Sequence, residues 1–95
     1  MARVEGKVAL ISGGALGMGK AHAEALAREG AKVVIADRDE EAGQRTASQL
    51  QKSGYEAIFV KLDVSSEAQW QEAIDTVVKK YGALHILVNN AGVYL

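Results

Sequence analysis

The residues best suited to bind a ligand form a glycine-rich stretch near the amino terminus, residues 12–19, which reads Ser-Gly-Gly-Ala-Leu-Gly-Met-Gly. Gly13 lacks the Cβ that would obstruct a tight turn, and Gly17 and Gly19 leave the backbone bare for close approach. Free N–H groups and a partial positive charge at the start of a following helix favour an anion such as a pyrophosphate. The stretch therefore predicts a dinucleotide-binding turn, provided that a strand precedes it and a helix follows it.

An acidic residue supports this interpretation over a purely structural glycine turn. Asp37 lies at the carboxyl end of the next predicted strand. A carboxylate there accepts hydrogen bonds from adenosine ribose hydroxyls and repels a 2′-phosphate, so it favours NAD over NADP. Arg38, beside it, keeps NADP open because a basic residue can accommodate that phosphate, although no basic residue lies inside the glycine turn. The alternative role for Asp37 is to cap the next helix.

Two further polar segments follow predicted strands, namely Asp63-Val64 and Asn89-Asn90-Ala91-Gly92. Taken alone, Asp63 could cap a helix and the second segment could be any turn, because Asn and Gly favour such geometry. His22 and His85 have no partner at metal-ligand spacing, so no metal site is predicted. Ser12 has no His/Asp arrangement to activate it, so it is not a candidate nucleophile.

The elements that must position these residues alternate between strands and helices. Apolar, β-branched runs predict strands at residues 7–11, 32–36, 57–60 (running on to 64) and 84–88. Helical spacing predicts helices at residues 20–28, from 39 to the stop at Gly54, and from a capping box of Ser66 and Gln69 to the stop at Gly82. Gly30 ends the first helix, and Trp70 and Tyr81 belong to the apolar stripe of the third. The β-α-β-α-β-α-β order predicts an α/β fold with a parallel sheet and right-handed crossovers.

Composition excludes several function classes. The 95 residues are enough for one small domain, with 48% hydrophobic and 24% charged residues and a net charge of −1. Bulk charge therefore favours neither nucleic acid nor an anionic membrane. No apolar run approaches the roughly 20 residues of a membrane helix. The absence of cysteine excludes disulfides and agrees with a cytoplasmic location.

The pattern Ser-Gly-x-x-x-Gly-x-Gly, followed by Asp63-Val64 and by Asn-Asn-Ala-Gly, resembles the short-chain dehydrogenase/reductase family. That family more often has Thr at the first position, and Ser12 keeps its hydroxyl. The resemblance covers essentially the whole chain but only the first part of the family's chain. It implies a Rossmann-type open parallel sheet, a doubly wound fold of strand order 3-2-1-4, and NAD-dependent interconversion of an alcohol and a ketone.

The resemblance also implies which residues contact the cofactor. In the family the carboxylate at the position of Asp63 meets the adenine amine. One Asn of the Asn-Asn pair braces the sheet while the segment's backbone meets the ribose, and we assign the contact to the second. The expected cofactor-binding residues are Ser12, Gly13, Leu16, Gly17, Met18, Gly19, Asp37, Asp63, Val64, Asn90, Ala91 and Gly92.

The family's catalytic Ser and Tyr-x-x-x-Lys pair have no counterpart in this chain. Tyr55 and Tyr81 are followed four places on by Phe59 and His85, and Tyr94 lies next to the last residue. No catalytic residue is therefore predicted. Residues 1–95 are expected to form a dinucleotide-binding half of a Rossmann domain, truncated before the catalytic portion and inactive alone. The alternative is a non-enzymatic minimal Rossmann scaffold that folds and self-associates with weak or no nucleotide binding.

The fourth predicted strand, residues 84–88, is apolar and carries neither Lys nor Pro. With no further strand beside it, this strand would be an unprotected sheet edge. Closed two-fold symmetry is the commonest way for identical chains to cover such a surface. We therefore expect a homodimer through this edge, with pairing of helix faces from residues 70–81 as the alternative.

Overall fold

The computed structural model describes residues 4–90 and shows strands and helices in strict alternation. The elements are β1 (Val8–Ser12), α1 (Gly17–Arg28), β2 (Lys32–Asp37), α2 (Glu40–Lys52), β3 (Ala57–Lys61), α3 (Glu67–Tyr81) and β4 (Ile86–Asn89). The four strands form one parallel sheet of order β3-β2-β1-β4. The predicted Rossmann-type α/β fold and its strand order are therefore confirmed.

The two central strands are buried on both faces because helices cover each side. One face of β1 and β2 packs against small residues of α1 and α2, and the other packs against α3. Alternate residues of a strand point to opposite faces, so Ile11 and Ile35 belong to the first layer whereas Leu10 and Val34 belong to the second. Such continuous apolar runs are typical of a parallel sheet between two helix layers.

Strand β1 has β2 on one side and β4 on the other, so the chain order reverses at β1. The Gly13 N–H donates to the Ala36 carbonyl oxygen of β2 (2.7 Å), and the Asn90 N–H donates to the Ser12 carbonyl oxygen (3.0 Å). The loops after β1, β2 and β4 are thus tied together at one edge of the sheet. In open α/β sheets this reversal point opens a crevice at the carboxyl ends of the strands.

Several element boundaries differ from the predicted ones for identifiable reasons. Helix α1 begins at Gly17 instead of residue 20, because the end of the glycine stretch is itself helical. Strand β3 ends at Lys61 instead of running on to residue 64. The Leu62 N–H makes the last ladder bond, to the Asp37 carbonyl oxygen (3.0 Å), because the Asp39 N–H donates to the Asp37 side chain instead of continuing the ladder. Strand β4 begins at Ile86 because the imidazole of His85 accepts a hydrogen bond from the Val8 N–H (2.9 Å) in place of a strand carbonyl.

The local helix signals agree with the structure almost completely. Glycines with positive φ follow the three helices at the predicted positions, Gly30, Gly54 and Gly82. Trp70 and Tyr81 pack against the α3 side of the core, as their helical spacing indicates. Among residues 4–90, no helix combines the length and apolarity that crossing a bilayer requires.

Candidate functional site

The start of α1 has none of the side-chain capping that the other two helices have. Leu16, with an extended backbone, is its N-cap residue, and no side chain caps it and no acid lies in its first turn. In contrast, Asp39 accepts a hydrogen bond from the Ala42 N–H, and Ser66 accepts one from the Gln69 N–H. The first N–H groups of a helix have no partner within the helix itself. In the described part of the chain, the glycine turn is therefore the helix start left available to an anion.

The backbone of the turn requires glycine at defined positions. Gly13 and Gly17 have φ values of 68° and 59°, in the left-handed region that other residues rarely adopt. A Cβ at the buried Gly19 would overlap the carbonyl oxygen of Gly13. Gly14, which the sequence analysis did not single out, is also closely packed, because a Cβ there would lie 2.8 Å from the Ile11 carbonyl oxygen.

The middle of the turn is held at Ala15 by two side chains. The Ala15 N–H donates to Oδ2 of Asp37 (3.2 Å), whose Oδ1 accepts from the Asp39 N–H (3.0 Å). The Thr46 hydroxyl of α2 donates to the Ala15 carbonyl oxygen (2.7 Å). Sequence reasoning missed Thr46. The available signal was a polar residue four positions after Ala42, on the face of α2 that packs against the sheet.

A cleft of about 270 Å³ lies where these loops meet. It is lined by Gly13, Asp37, Arg38, Leu62, Asp63, Val64, Ser65 and Asn90. The structure thus brings together five of the predicted cofactor-binding residues. Leu16 and Met18 lie outside the lining of this cleft and are 60% and 72% exposed. Ala91 and Gly92 lie outside the described residues.

Ser12 and Asn89 form a pair beneath the cleft. Ser12 is fully buried, and its hydroxyl donates to Oδ1 of Asn89 (2.8 Å). This bond links the ends of β1 and β4, so Asn89 is the Asn of the pair that braces the sheet in this structure. The hydroxyl of Ser12 is therefore used inside the protein.

The loop after β3 is held by α3. Oε1 of Gln69 accepts a hydrogen bond from the Asp63 N–H (2.7 Å), and Nε1 of Trp70 donates to the Val64 carbonyl oxygen (2.9 Å). The predicted capping box is therefore only half formed. Ser66 caps the helix, but the Gln69 side chain bonds Asp63 instead of the Ser66 N–H. Gln69 and Trp70 thus fix Asp63 and Val64, two of the residues that line the cleft on this side.

The cleft contains two carboxylates and one guanidinium. Oδ1 of Asp63 accepts hydrogen bonds from the hydroxyl (2.7 Å) and the N–H (3.0 Å) of Ser65. These bonds, with a smaller contribution from the charge of Arg38, hold the pKa of Asp63 below its ordinary value. Asp63 is therefore an ionised acceptor near neutral pH. A carboxylate in that state accepts hydrogen bonds from ligand hydroxyl or amine groups.

A buried donor also lines the cleft. Nδ2 of Asn90 is buried and has no hydrogen-bond partner among the described residues. Buried polar groups in folded proteins nearly always have partners, so such a donor suits an acceptor oxygen of a ligand. Donors at Asn90 and α1, with acceptors at Asp37 and Asp63, match the phosphate, hydroxyl and amine groups of a nucleotide. Residues 4–90 contain no group of three or more His, Asp or Glu side chains that could hold a metal ion.

A family profile described as short chain dehydrogenase matches residues 7–95. The 3-alpha-(or 20-beta)-hydroxysteroid dehydrogenase of Mycobacterium tuberculosis is 52% identical over 91 residues, covering 96% of this chain and 34% of that protein. The cyclopentanol dehydrogenase of Comamonas testosteroni is 45% identical over 93 residues, covering 98% of this chain and 37% of that protein. The chain thus spans about a third of the length of the curated relatives it matches.

Solved structures share the fold as well as the sequence. The crystal structure of a hydroxysteroid dehydrogenase from Escherichia coli superposes with a TM-score of 0.92 at 36% identity. The match covers 97% of this chain and 39% of that chain. The structural similarity therefore extends over the glycine turn and all four strands described above.

Proposed function

The chain belongs to the short-chain dehydrogenase family, and we propose that it binds the adenosine and pyrophosphate part of NAD in the cleft beside the glycine turn. The observation that carries this proposal is the meeting of Gly13, Asp37, Asp63 and Asn90 at one cleft. These residues come from the ends of four different strands. Family membership supports a nicotinamide dinucleotide, and the donor and acceptor pattern suits its adenosine half.

Each group of the ligand has a proposed partner. The pyrophosphate lies at the uncapped start of α1, where N–H groups and the helix dipole favour negative charge. Asp37 accepts from the ribose hydroxyls, and the ionised Asp63 accepts from the adenine amine. The exposed Leu16 and Met18 are proposed to flank the ligand beyond the cleft, toward the nicotinamide.

NAD is proposed over NADP because of the position of Asp37. Its carboxylate lines the cleft and already accepts two backbone N–H groups, so it is fixed and aimed at that end of the turn. A 2′-phosphate there would meet this negative charge. The exposed Arg38 on the same cleft offers partial compensation, so the discrimination is expected to be finite.

The whole protein is proposed to interconvert an alcohol and a ketone, in keeping with relatives named as hydroxysteroid and cyclopentanol dehydrogenases. The bound nicotinamide would supply the hydride acceptor or donor. The residues of this chain are proposed to bind and orient the adenosine half of that cofactor, and none of them is proposed as a catalytic residue. The 95-residue chain alone is therefore expected to produce no NADH from alcohols. A cytoplasmic location remains a prediction that rests on the absence of cysteine.

Self-association is proposed through β4, which is an edge of the described sheet. Leu87 on this strand is 55% exposed, whereas Ile86 and Val88 pack against the core. Antiparallel pairing of two such edges would join the sheets by backbone hydrogen bonds and bring the Leu87 side chains of both copies onto one continuous sheet face. Light scattering should show a dimer that Leu87→Lys converts to monomer. A monomeric wild type at high concentration, or an unchanged mass in the variant, would contradict edge pairing.

Calorimetric titration with NAD, NADP and ADP-ribose tests the proposed ligand. We expect NAD and ADP-ribose to bind with similar affinity, because the hydrogen bonds and the charge interactions proposed here all lie on their shared half. Asp37→Ala should weaken NAD about tenfold or more, since a hydrogen bond to a charged group contributes roughly 1.5–3 kcal/mol. The affinity for NADP should fall much less, because the variant also removes the repulsion between the Asp37 carboxylate and the 2′-phosphate.

The matched control is Asp39→Ala, which removes a neighbouring carboxylate that caps α2 and does not line the cleft. Asp37→Ala also removes the bond to the Ala15 N–H, and this loss affects both cofactors equally. The ratio of NAD to NADP affinity therefore isolates the 2′-phosphate effect. An unchanged ratio in Asp37→Ala would reduce Asp37 to a structural role, and no binding of ADP-ribose by the wild type would overturn the proposed function.

A further inference from the structure

The peptide groups on either side of Ala15 are each fixed by one side chain. The Ala15 N–H, which belongs to the Gly14–Ala15 peptide, donates to Asp37 (3.2 Å). The Ala15 carbonyl oxygen, which belongs to the Ala15–Leu16 peptide, accepts from the Thr46 hydroxyl (2.7 Å). Two successive peptide planes of the glycine turn are therefore oriented from outside the turn.

The contact made by Thr46 is long-range and buried. Thr46 is 3% exposed and is separated from Ala15 in sequence by 31 positions. It lies on α2, whereas the other holding group, Asp37, lies at the end of β2. A buried hydroxyl must satisfy its hydrogen-bonding capacity somewhere, and many do so within their own helix. Thr46 instead donates to the segment that leads into the uncapped start of α1.

We propose that Thr46 is a positioning residue for the pyrophosphate of the bound dinucleotide. Its hydroxyl fixes the plane of the Ala15–Leu16 peptide and hence the direction of the Leu16 N–H. The Leu16 carbonyl oxygen in turn accepts from the Lys20 N–H (3.3 Å), the first hydrogen bond of α1. Thr46 therefore determines the direction in which the free N–H groups of the first turn point. This inference rests on the proposed function.

The role of Thr46 is selective for one part of the ligand. The adenosine contacts proposed above come from Asp37, which ends β2, and from Asp63, which lies in the loop after β3, and both have hydrogen bonds that do not involve Thr46. Besides the Ala15 N–H, Asp37 bonds the Asp39 N–H, which keeps its carboxylate anchored to the start of α2, and Asp63 bonds Ser65 and Gln69. Loss of the Thr46 hydroxyl should therefore weaken ligands that reach the glycine turn and spare adenosine, which does not.

Thr46→Val tests this because it keeps the side-chain shape and removes the hydroxyl. We expect affinity for ADP-ribose to fall about three- to tenfold, the range expected for one hydrogen bond. Affinity for adenosine should stay within twofold of the wild type. Thr46→Ser retains a hydroxyl and should restore most of the ADP-ribose affinity.

The matched control is Thr76→Val on α3. The Thr76 hydroxyl also donates to a carbonyl oxygen, that of Glu72 (2.8 Å), but it is exposed and remote from the cleft. This variant should bind ADP-ribose like the wild type. If Thr46→Val fails to fold, Thr46→Ala is the second variant, because its smaller side chain lets water reach the Ala15 carbonyl oxygen.

The outcomes separate this inference from the function on which it rests. Wild-type protein that fails to bind ADP-ribose overturns the proposed function and the role of Thr46 together. If the wild type binds and the Thr46 variants bind ADP-ribose equally well, only the role of Thr46 is overturned. Equal losses for adenosine and ADP-ribose, or no rescue by Thr46→Ser, would also overturn it, because they would show a general structural effect.

Discussion

The start of α1 differs from the starts of α2 and α3, although all three helices follow strands of one sheet. Asp39 and Ser66 cap α2 and α3 with side-chain oxygens, and acidic residues in the first turns complement the helix dipoles. Helix α1 has neither a side-chain cap nor a first-turn acid. Two helix starts are thus completed by side chains of the protein itself, and the third keeps free N–H groups, which we propose that an anionic ligand completes.

Helix α1 compensates for this open end by close packing. Ala23 and Ala27 are buried against the sheet, and the buried Gly19 lies against the backbone of Gly13. Small side chains let the helix approach the strands closely. The stability of this helix therefore comes from contact with the sheet, while its first N–H groups keep their capacity to bind a ligand. A helix that lacks the usual N-cap and first-turn acid is typical of a functional site.

A side chain added at Gly19 should produce the largest loss of ligand affinity. Gly19→Ala places a Cβ into the Gly13 carbonyl oxygen, so the turn must move away from α1. We expect loss of measurable ADP-ribose binding and a decrease of about 1–3 kcal/mol in the free energy of unfolding. Calorimetry and urea denaturation measure the two effects.

Gly54→Ala is the control for Gly19→Ala. Gly54 follows α2 with a φ of 91° and has open space where a Cβ would lie. Strain in this conformation should cost about 1–2 kcal/mol without changing ADP-ribose affinity. If Gly19→Ala binds as tightly as Gly54→Ala, the glycine turn is not the ligand contact.

A side-chain cap on α1, like those of the other helices, should raise the stability of the protein and lower its affinity for ADP-ribose. Leu16 is exposed and has the extended backbone of an N-cap residue, so Leu16→Asp can cap the first turn. We expect the free energy of unfolding to rise by about 0.5–2 kcal/mol. The added charge should weaken ADP-ribose about tenfold by repelling the pyrophosphate.

Leu16→Asn serves as the neutral counterpart, with a similar cap and no charge. Its loss of affinity should be smaller than that of Leu16→Asp, and the difference should shrink at high salt. Tighter binding of ADP-ribose by Leu16→Asp than by the wild type would contradict an anion site at this helix start.

Removing the caps of the other helices should lower the stability of the protein and leave its affinity for ADP-ribose nearly unchanged. Asp39→Ala and Ser66→Ala should each lower the free energy of unfolding by about 1 kcal/mol, the usual loss for an N-cap. ADP-ribose affinity should stay within twofold, because both caps are used inside the protein. A large loss of affinity in Asp39→Ala at unchanged stability would show that the α2 start also binds the ligand.

The smallest expected effect is a pKa change beside the start of α3. The bonds from Ser65 lower the pKa of Asp63 from its ordinary value of 3.8, so Ser65→Ala should raise it. A depressed pKa in the folded state adds stability above the unfolded-state pKa, and this stability disappears as pH falls through the folded-state pKa. Titration of the Asp63 carboxyl carbon by NMR measures the change. An unaltered pKa in the variant would assign the shift to another cause.

Local patterns predicted the alternation of strands and helices, the glycine turn and the helix ends because each depends on neighbouring residues. The strand order 3-2-1-4 followed from the family resemblance. The same resemblance indicated Asp63 and Asn90 as cofactor contacts. The structure brings them to one cleft with Asp37 because parallel strands end at the same edge of a sheet. The bonds of Thr46 to Ala15 and of His85 to Val8 were not predictable in this way. They join residues far apart in sequence, and side-chain packing across elements determines them.

The most direct test follows backbone N–H signals of the 95-residue chain by NMR as ADP-ribose is added. We expect saturable shifts in residues 13–19, the glycine turn, together with the two carboxylate positions, residues 37 and 63. The first turns of α2 and α3, residues 40–42 and 67–69, should shift little because their caps are already in place. Absence of saturable shifts in residues 13–19, or equal shifts at all three helix starts, would contradict the claim that α1 alone is left open for the ligand.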